Sequence, residues 1–288
     1  MRLKQYLDEA TAQLTKAGVD SPRLCAEVLA REALGGEASG SARLFCILEA
    51  GREVEGDVLA SLQALVAQRA TGQPLAQIIG RKEFYGRDFA VTRNTLVPRP
   101  ETELLVDCAL ELLPKTQLHF ADLGTGTGCI GLTLLAENAN WQGLLLDICP
   151  HATRVAATNA QNIGVQDRAT VLQADMRNPP IKPESLQLVV SNPPYIAEAE
   201  RHMVMDEVLH NEPHSALFSE NNGLLHLAAA INAAACALQK GGLVLLEHGA
   251  AQAKAVHDLL AETGIFKKIE NKRDIAHLDR CTLARKGL

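Results

Sequence analysis

The residues best suited to chemistry are Asn192-Pro193-Pro194-Tyr195, which directly follow the apolar run Leu186-Gln-Leu-Val-Val-Ser191. Such a run reads as a buried strand, and two consecutive prolines must end it. Pro193 and Pro194 donate no hydrogen bond and have nearly fixed φ, so the loop is stiff and its carbonyls point in set directions. Asn192 adds a side-chain carbonyl beside the backbone carbonyl of Pro193, which makes two acceptors for one planar NH2 group. Tyr195 offers a ring face on which a flat substrate group can lie. This arrangement suits the orientation of a weakly nucleophilic nitrogen. Taken alone, the four residues also fit a plain Asn-Pro turn.

A second constellation is Ala121-Asp122-Leu123-Gly124-Thr125-Gly126-Thr127-Gly128, at the end of another apolar run. Three alternate glycines let the backbone turn sharply and approach a ligand, with a helix N-terminus following. Asp147 lies nineteen residues past Gly128, at the end of the next predicted strand. An acid there is placed to take both ribose hydroxyls of a nucleotide-like ligand. Gly126-x-Gly128-x-x-Gly131 also fits a dinucleotide fingerprint, so NAD(P) competes. Hydride transfer, however, requires neither Asp122 nor the Asn-Pro-Pro-Tyr loop, and no catalytic His, Tyr or Lys can be nominated near the cofactor. Asp122-x-Gly-x-Gly-x-Gly instead resembles the first motif of S-adenosylmethionine-dependent methyltransferases, where an acid near the methionine amino group is an asset. On that resemblance Asp175, ending the third strand, could reach the adenine amino group, although a solvated strand-end acid is the plainer account.

These loops need elements to hold them. Apolar runs predict strands near 118–123, 143–148, 169–174, 186–191 and 242–247, with weaker ones near 266–270 and 281–285. Helices fill the intervals, notably 128–137, 151–161, 222–239 and 250–262. Alternation of this kind implies an α/β, Rossmann-like sheet of seven mostly parallel strands with helices on both faces. The first eighty residues differ. Leu3, Leu7, Ala10, Leu14 and Ala17 keep helical spacing until Gly18, Ser21-Pro22 starts a second helix, and a third runs from Asp57 towards Gly72-Gln-Pro74. Phe84 to Val91 followed by Thr95 to Val97 predicts a hairpin. Pro98-Arg-Pro-Glu-Thr-Glu103 then reads as a rigid elbow into a helix that reaches Pro114, with Glu101 and Glu103 at the positive end of its dipole. The expected organisation is a helical bundle over 1–82, a linking hairpin over 83–97 and a catalytic domain over 98–288. The bundle carries no chemical constellation, so support and substrate recognition both stay open.

Composition narrows the function classes. The 288 residues are 47% hydrophobic and 22% charged, with a formal charge of −6. No basic domain hides in that total: residues 1–88 hold 11 basic and 12 acidic residues, and the rest hold 17 and 22. Proteins that grip nucleic acid unaided usually show a basic surface, so a small-molecule or protein substrate is expected and stable nucleic-acid binding is not. Seven cysteines without a CxxC pair suit reduced thiols. His210 and His214 have a ligand-like spacing, but Pro213 interrupts any shared helical face and no metal is expected. Acids in the first nine residues argue against a signal peptide, and the longest apolar segment, 224–238, is too short for a membrane span. A cytoplasmic location is expected.

With both motifs placed, nearly the whole chain resembles the HemK/PrmC family of release-factor glutamine methyltransferases. The resemblance covers Thr95 to Glu103, Asp122 to Gly128, Asp147, Ser191 to Tyr195, Glu212-Pro213, Leu246-Glu-His-Gly249, and Arg273-Asp274 with Arg280. Asn-Pro-Pro-Tyr alone occurs in several amino-methylating families; the Pro-Arg-Pro-Glu-Thr-Glu elbow is narrower. The resemblance implies a class I methyltransferase sheet and S-adenosylmethionine as cofactor. As substrate it implies the glutamine of the Gly-Gly-Gln motif in peptide-chain release factors. It places Gly124, Thr125, Gly126, Thr127 and Gly128 under the methionine part, Asp147 on the ribose, Asp175 and Met176 by the adenine, and Asn192 to Tyr195 around the glutamine, with Asn192 also touching the cofactor. Relatives often carry an aromatic residue where this chain has Met176, whose thioether can still pack on a flat ring. Another protein glutamine, such as one in a ribosomal protein, or a nucleic-acid base remains the alternative acceptor.

Overall fold

The computed structural model describes residues 1–36 and 40–287. Its first stretch is helical: α1 (Leu3–Lys16), α2 (Pro22–Ala33), α3 (Ala42–Leu48), α4 (Gly56–Ala70) and α5 (Leu75–Ile79). Leu3, Leu7, Ala10 and Leu14 are buried along one side of α1, as their spacing requires. Pro22 sits in the first turn of α2, where a missing N–H costs nothing. Neither α3 nor α5 is legible in the periodicity, because seven and five residues are too few for a 3.6-residue repeat to show.

A hairpin follows, β1 (Arg81–Phe84) and β2 (Arg87–Ala90), with Arg81 opposite Ala90 and Phe84 opposite Arg87. It starts before the expected position, and Thr95 to Val97 belong to no strand. The turn lies instead at Tyr85-Gly86, both with positive φ, a conformation that Gly86 adopts without steric cost.

The remaining elements are α6 (Glu103–Leu112), β3 (Leu118–Leu123), α7 (Cys129–Glu137), β4 (Trp141–Asp147), α8 (Pro150–Ile163), β5 (Ala169–Gln173), β6 (Leu186–Ser191), α9 (Asp206–Asn211), α10 (Leu225–Ala237), β7 (Leu238–Glu247), α11 (Ala253–Glu262), β8 (Phe266–Arg273) and β9 (Asp279–Lys286). The seven strands after the hairpin form one sheet in the order β5-β4-β3-β6-β7-β9-β8. Among the described strands of this sheet, β9 alone runs against the common direction, antiparallel to both β7 and β8. This is the Rossmann-like, mostly parallel architecture expected. Along β6, Leu188 and Val190 join one core cluster while Val189 joins the other, and β7 alternates likewise, with Leu243 and Leu245 against Val244 and Leu246. Alternate side chains point to opposite faces, so both faces of the sheet are covered and the central strands read as unbroken apolar runs.

Contacts divide the chain into two compact units. One holds Met1–Gly80 with Met205–Asn211, and the other holds Arg81–Val204 with Glu212–Leu288. Within the first, Arg69 Nη2 donates to Glu207 Oε2 at 2.6 Å, and Gln77 Nε2 donates to the Asn211 carbonyl at 2.9 Å. Helix α9 therefore belongs to the helical unit despite its distance in sequence. Among the described residues, no helix is long and apolar enough to cross a membrane.

Within the second unit, β3 and β6 are neighbours, and Leu123 lies opposite Ser191. The chain leaves β3 towards β4 on one side and reaches β6 on the other, so a crevice opens at their carboxyl ends. Both loops singled out from the sequence begin there.

Candidate active site

The glycine loop is anchored from below. Gly124 N and Thr125 N both donate to the Leu146 carbonyl at 2.8 Å. Asp122, fully buried, accepts from Thr125 Oγ1 at 2.7 Å and from Gly131 N at 3.1 Å, while its Oδ1 has no partner. Burial pushes its carboxyl up to about 6, against the pull of those two donors. Asp122 thus ties the loop to the start of α7 rather than facing the cavity. Asn159 on α8 fastens the other side, donating to the Thr127 carbonyl at 2.9 Å and exchanging two bonds with Ala90 of the hairpin.

A cavity of about 330 Å³ lies over this loop. Gly124, Thr125, Gly126, Thr127, Asp147, Asp175, Met176, Asn192 and Pro194 all stand on its wall. Gly128, Pro193 and Tyr195 do not. Gly128 turns the chain into α7 with φ +84°, and a Cβ there would fall 2.6 Å from Leu132 Cδ1. Its glycine serves helix packing. Pro193 is buried, and the Tyr195 ring packs against the sheet cluster that includes Leu246. The Tyr195 hydroxyl donates to Glu247 Oε1 at 3.3 Å. In this structure the ring supports the loop from behind instead of offering a face to the cavity, because its hydroxyl finds a buried acceptor there.

Asp147 is engaged but not exhausted. Its Oδ2 accepts from Gly126 N at 2.9 Å and its Oδ1 from Cys149 N at 2.8 Å, which leaves each oxygen a second lone pair. Burial raises its pKa and the two backbone donors work against that rise. Asp175 is held in a two-pronged pair by Arg177, whose Nε lies 2.8 Å and whose Nη2 lies 2.5 Å from Oδ2. Arg177 keeps the Asp175 carboxyl below its ordinary value. Met176 sits over the loop, its Cε 3.0 Å from where a Cβ on Gly124 would be.

The Asn-Pro-Pro-Tyr loop is held by residues far away in sequence. Asn192 Nδ2 donates to Thr102 Oγ1 at 3.1 Å, which leaves the Asn192 carbonyl oxygen free. Glu212, buried, accepts from Val97 N at 3.0 Å and from Arg99 Nη2 at 2.6 Å, so the elbow bearing Thr102 has a fixed origin. Gln252 Nε2 donates to the Tyr195 carbonyl at 2.9 Å. Gly223 completes the fit: with φ +82°, a Cβ on it would lie 2.1 Å from that same carbonyl. Gly223→Ala is expected to cost about 2–4 kcal/mol through clash and backbone strain, read as a fall in melting temperature of roughly 5–10 °C together with lost activity. A variant that melts with the parent chain would contradict this contact.

Sequence reasoning did not single out Thr102, Glu247, Asn159 or Gln252 for a role. Glu247 leaves a signal in hindsight, an acid directly after the apolar run Leu243 to Leu246, and buried strand-end acids mark functional crevices. Asn159 leaves none, since its value depends on contacts the sequence does not display.

A family model described as "PrmC N-terminal domain" matches residues 5–80, and one described as "Methyltransferase small domain" matches residues 100–232. A protein of Nitratidesulfovibrio vulgaris named release factor glutamine methyltransferase is 42% identical over 99% of this chain and 96% of its own length. The chain belongs to the release factor glutamine methyltransferase family. Members of the same name from Cereibacter sphaeroides and Escherichia coli are 40% and 34% identical, each over 99% of both chains.

The family is one of S-adenosylmethionine-dependent enzymes, and the residues present fit that cofactor. Asp147 keeps acceptor capacity for a pair of hydroxyls, Met176 gives an apolar platform, and the glycine loop leaves the backbone uncovered: a Cβ on Gly126 would meet no protein atom within 4 Å.

Proposed function

We propose that this chain methylates the side-chain amide nitrogen of the glutamine in the Gly-Gly-Gln motif of peptide-chain release factors. One observation carries the reading: Asn192 gives its NH2 to Thr102 and so keeps its carbonyl oxygen for the cavity that the glycine loop also lines. A side-chain carbonyl there accepts an N–H, and a glutamine amide has two to offer. The relatives' shared name supplies the release factor as substrate.

The difficulty of the reaction is that an amide lone pair is delocalised, which makes the nitrogen a poor nucleophile. S-adenosylmethionine, when bound, supplies a methyl group on a positively charged sulfur. Gly124 to Thr127 would hold its methionine part, Asp147 its ribose hydroxyls, and Met176 with Asp175 its adenine. Asn192 Oδ1, on the cavity wall, would accept an N–H group of the glutamine and aim the nitrogen lone pair. Fixing reactants in a near-attack geometry can contribute several kcal/mol. As positive charge grows on the nitrogen, the same carbonyl, held in place beforehand through the Asn192 bond to Thr102, stabilises it. The reaction needs no general base on the wall, because the proton can leave to water after transfer.

The test is the formation of S-adenosylhomocysteine with a purified release factor as acceptor. One equivalent per release factor is expected, and none with a Gly-Gly-Glu version, whose carboxylate has no NH2 to present. Equal turnover with both versions would overturn the assignment of the glutamine.

A further inference from the structure

A flat glutamine amide held by one acceptor still turns about that hydrogen bond, so a wall has to fix its plane. Tyr195, whose type suggested such a surface, is turned towards Glu247 behind the loop. Among the described Phe, Tyr and Trp residues, Phe218 alone stands on the wall of the cavity that Asn192 also lines. Leu217 and Ser219, on either side of it, are buried at 5% and 4% exposure, whereas Phe218 is half-buried.

The Asn-Pro-Pro-Tyr loop itself sets where this ring stands. Ile196, the next residue, forms a parallel bridge with Phe218. Its N donates to the Leu217 carbonyl at 3.0 Å, and its carbonyl accepts from Ser219 N at 2.9 Å. Bridged residues lie about 4.8 Å apart, which puts Phe218 one strand spacing from the end of the loop. Two side chains then clamp the ring. The Arg201 guanidinium lies over it, 4.3 Å from the centroid, and is held in turn by Glu198 through Nε at 2.6 Å and Nη2 at 3.2 Å. The His214 ring meets it in a T-shaped contact, with centroids 5.6 Å apart and planes at 87°. A ring fixed before binding loses little freedom when a ligand arrives.

We propose that Phe218 forms the aromatic wall of the acceptor site, against which the glutamine side chain packs while Asn192 Oδ1 accepts its N–H. This rests on the methyl transfer proposed above, because that reaction supplies the amide. The adenine is the other flat group to be housed, and Asp175 and Met176 after β5 are assigned to it. The segment carrying Phe218 is bonded instead to the end of the loop after β6, which places its ring with the acceptor. The task that the type of Tyr195 suggested passes to a ring from further along the chain.

The experiment compares wild type, Phe218→Leu and Phe218→Tyr for methyl transfer to a purified release factor, with S-adenosylmethionine affinity read by calorimetry and stability by melting. Leucine keeps an apolar side chain but not a flat one, whereas tyrosine keeps the ring. Phe218→Leu is expected to lower kcat/KM for the release factor by about 10- to 50-fold while cofactor affinity stays within about threefold. Phe218→Tyr stays within about threefold of wild type in both. A folded Phe218→Leu with wild-type kcat/KM, or Phe218→Tyr no better than Phe218→Leu, overturns the wall while the methyl transfer stands. A loss of cofactor affinity as large as the loss of kcat/KM also overturns it, because the ring then serves the cofactor. If Phe218→Leu melts early, para-fluorophenylalanine placed at position 218 carries the test by fluorine NMR. Its signal is expected to shift when a saturating release factor joins the protein bound to S-adenosylhomocysteine, and to stay in place with a Gly-Gly-Ala version. No shift, or the same shift with both versions, overturns the wall. A wild type that adds no methyl overturns the functional reading and the wall with it.

Discussion

Asn192→Ala is expected to lower kcat on the order of a thousandfold while the dissociation constant for S-adenosylmethionine changes by less than about threefold. The asymmetry follows from where the side chain stands. Its nitrogen is committed to Thr102, and its oxygen is the free acceptor on the cavity wall. Alanine removes that acceptor and leaves the glycine loop, Asp147 and Met176 in place. What is lost is the fixed geometry of a weak nucleophile and the stabilisation of charge developing on it, both of which act in the transition state. Single-turnover kinetics with calorimetry in parallel would read the two effects separately. Equal loss of turnover and cofactor affinity would show that Asn192 serves mainly to hold the cofactor.

Asp147→Ala should give the opposite pattern. Its two oxygens hold Gly126 N and Cys149 N and keep lone pairs for ligand hydroxyls. Charge-assisted bonds contribute about 1.5–3 kcal/mol each, so losing those to a ribose weakens cofactor binding by about a hundredfold or more. At saturating cofactor the chemical step is largely retained, because Asp147 does not touch the acceptor nitrogen. Unchanged affinity by calorimetry would refute the ribose contact.

Legibility in the sequence followed the range of the interactions. The sheet was readable because buried parallel strands are unbroken apolar runs, and the two loops because each packs its chemistry into a few adjacent residues. The supports of those loops were not. Thr102 meets Asn192 across 90 residues, Glu247 meets Tyr195 across 52, and Glu212 meets Val97 across 115. Polar pairs at such separations leave no periodic trace, so one partner cannot be read from the other. Tyr195 shows the limit within a motif: its type suggested a stacking face, but a buried acceptor behind the loop draws the ring inward. On the other loop Asp122, read as an acid near the methionine amino group, is fully buried and its Oδ2 holds Thr125 and Gly131. Helix α9 fell outside the helical unit in sequence order because only its tertiary bonds, Glu207 to Arg69 and Asn211 to Gln77, assign it there.

The most direct test of methyl transfer to a glutamine amide is fragmentation mass spectrometry of a purified release factor after incubation with this protein and S-adenosylmethionine. One added methyl on the glutamine of Gly-Gly-Gln is predicted, present with wild type and absent with Asn192→Ala. A methyl on another residue, or none despite cofactor binding shown by calorimetry, would contradict the account.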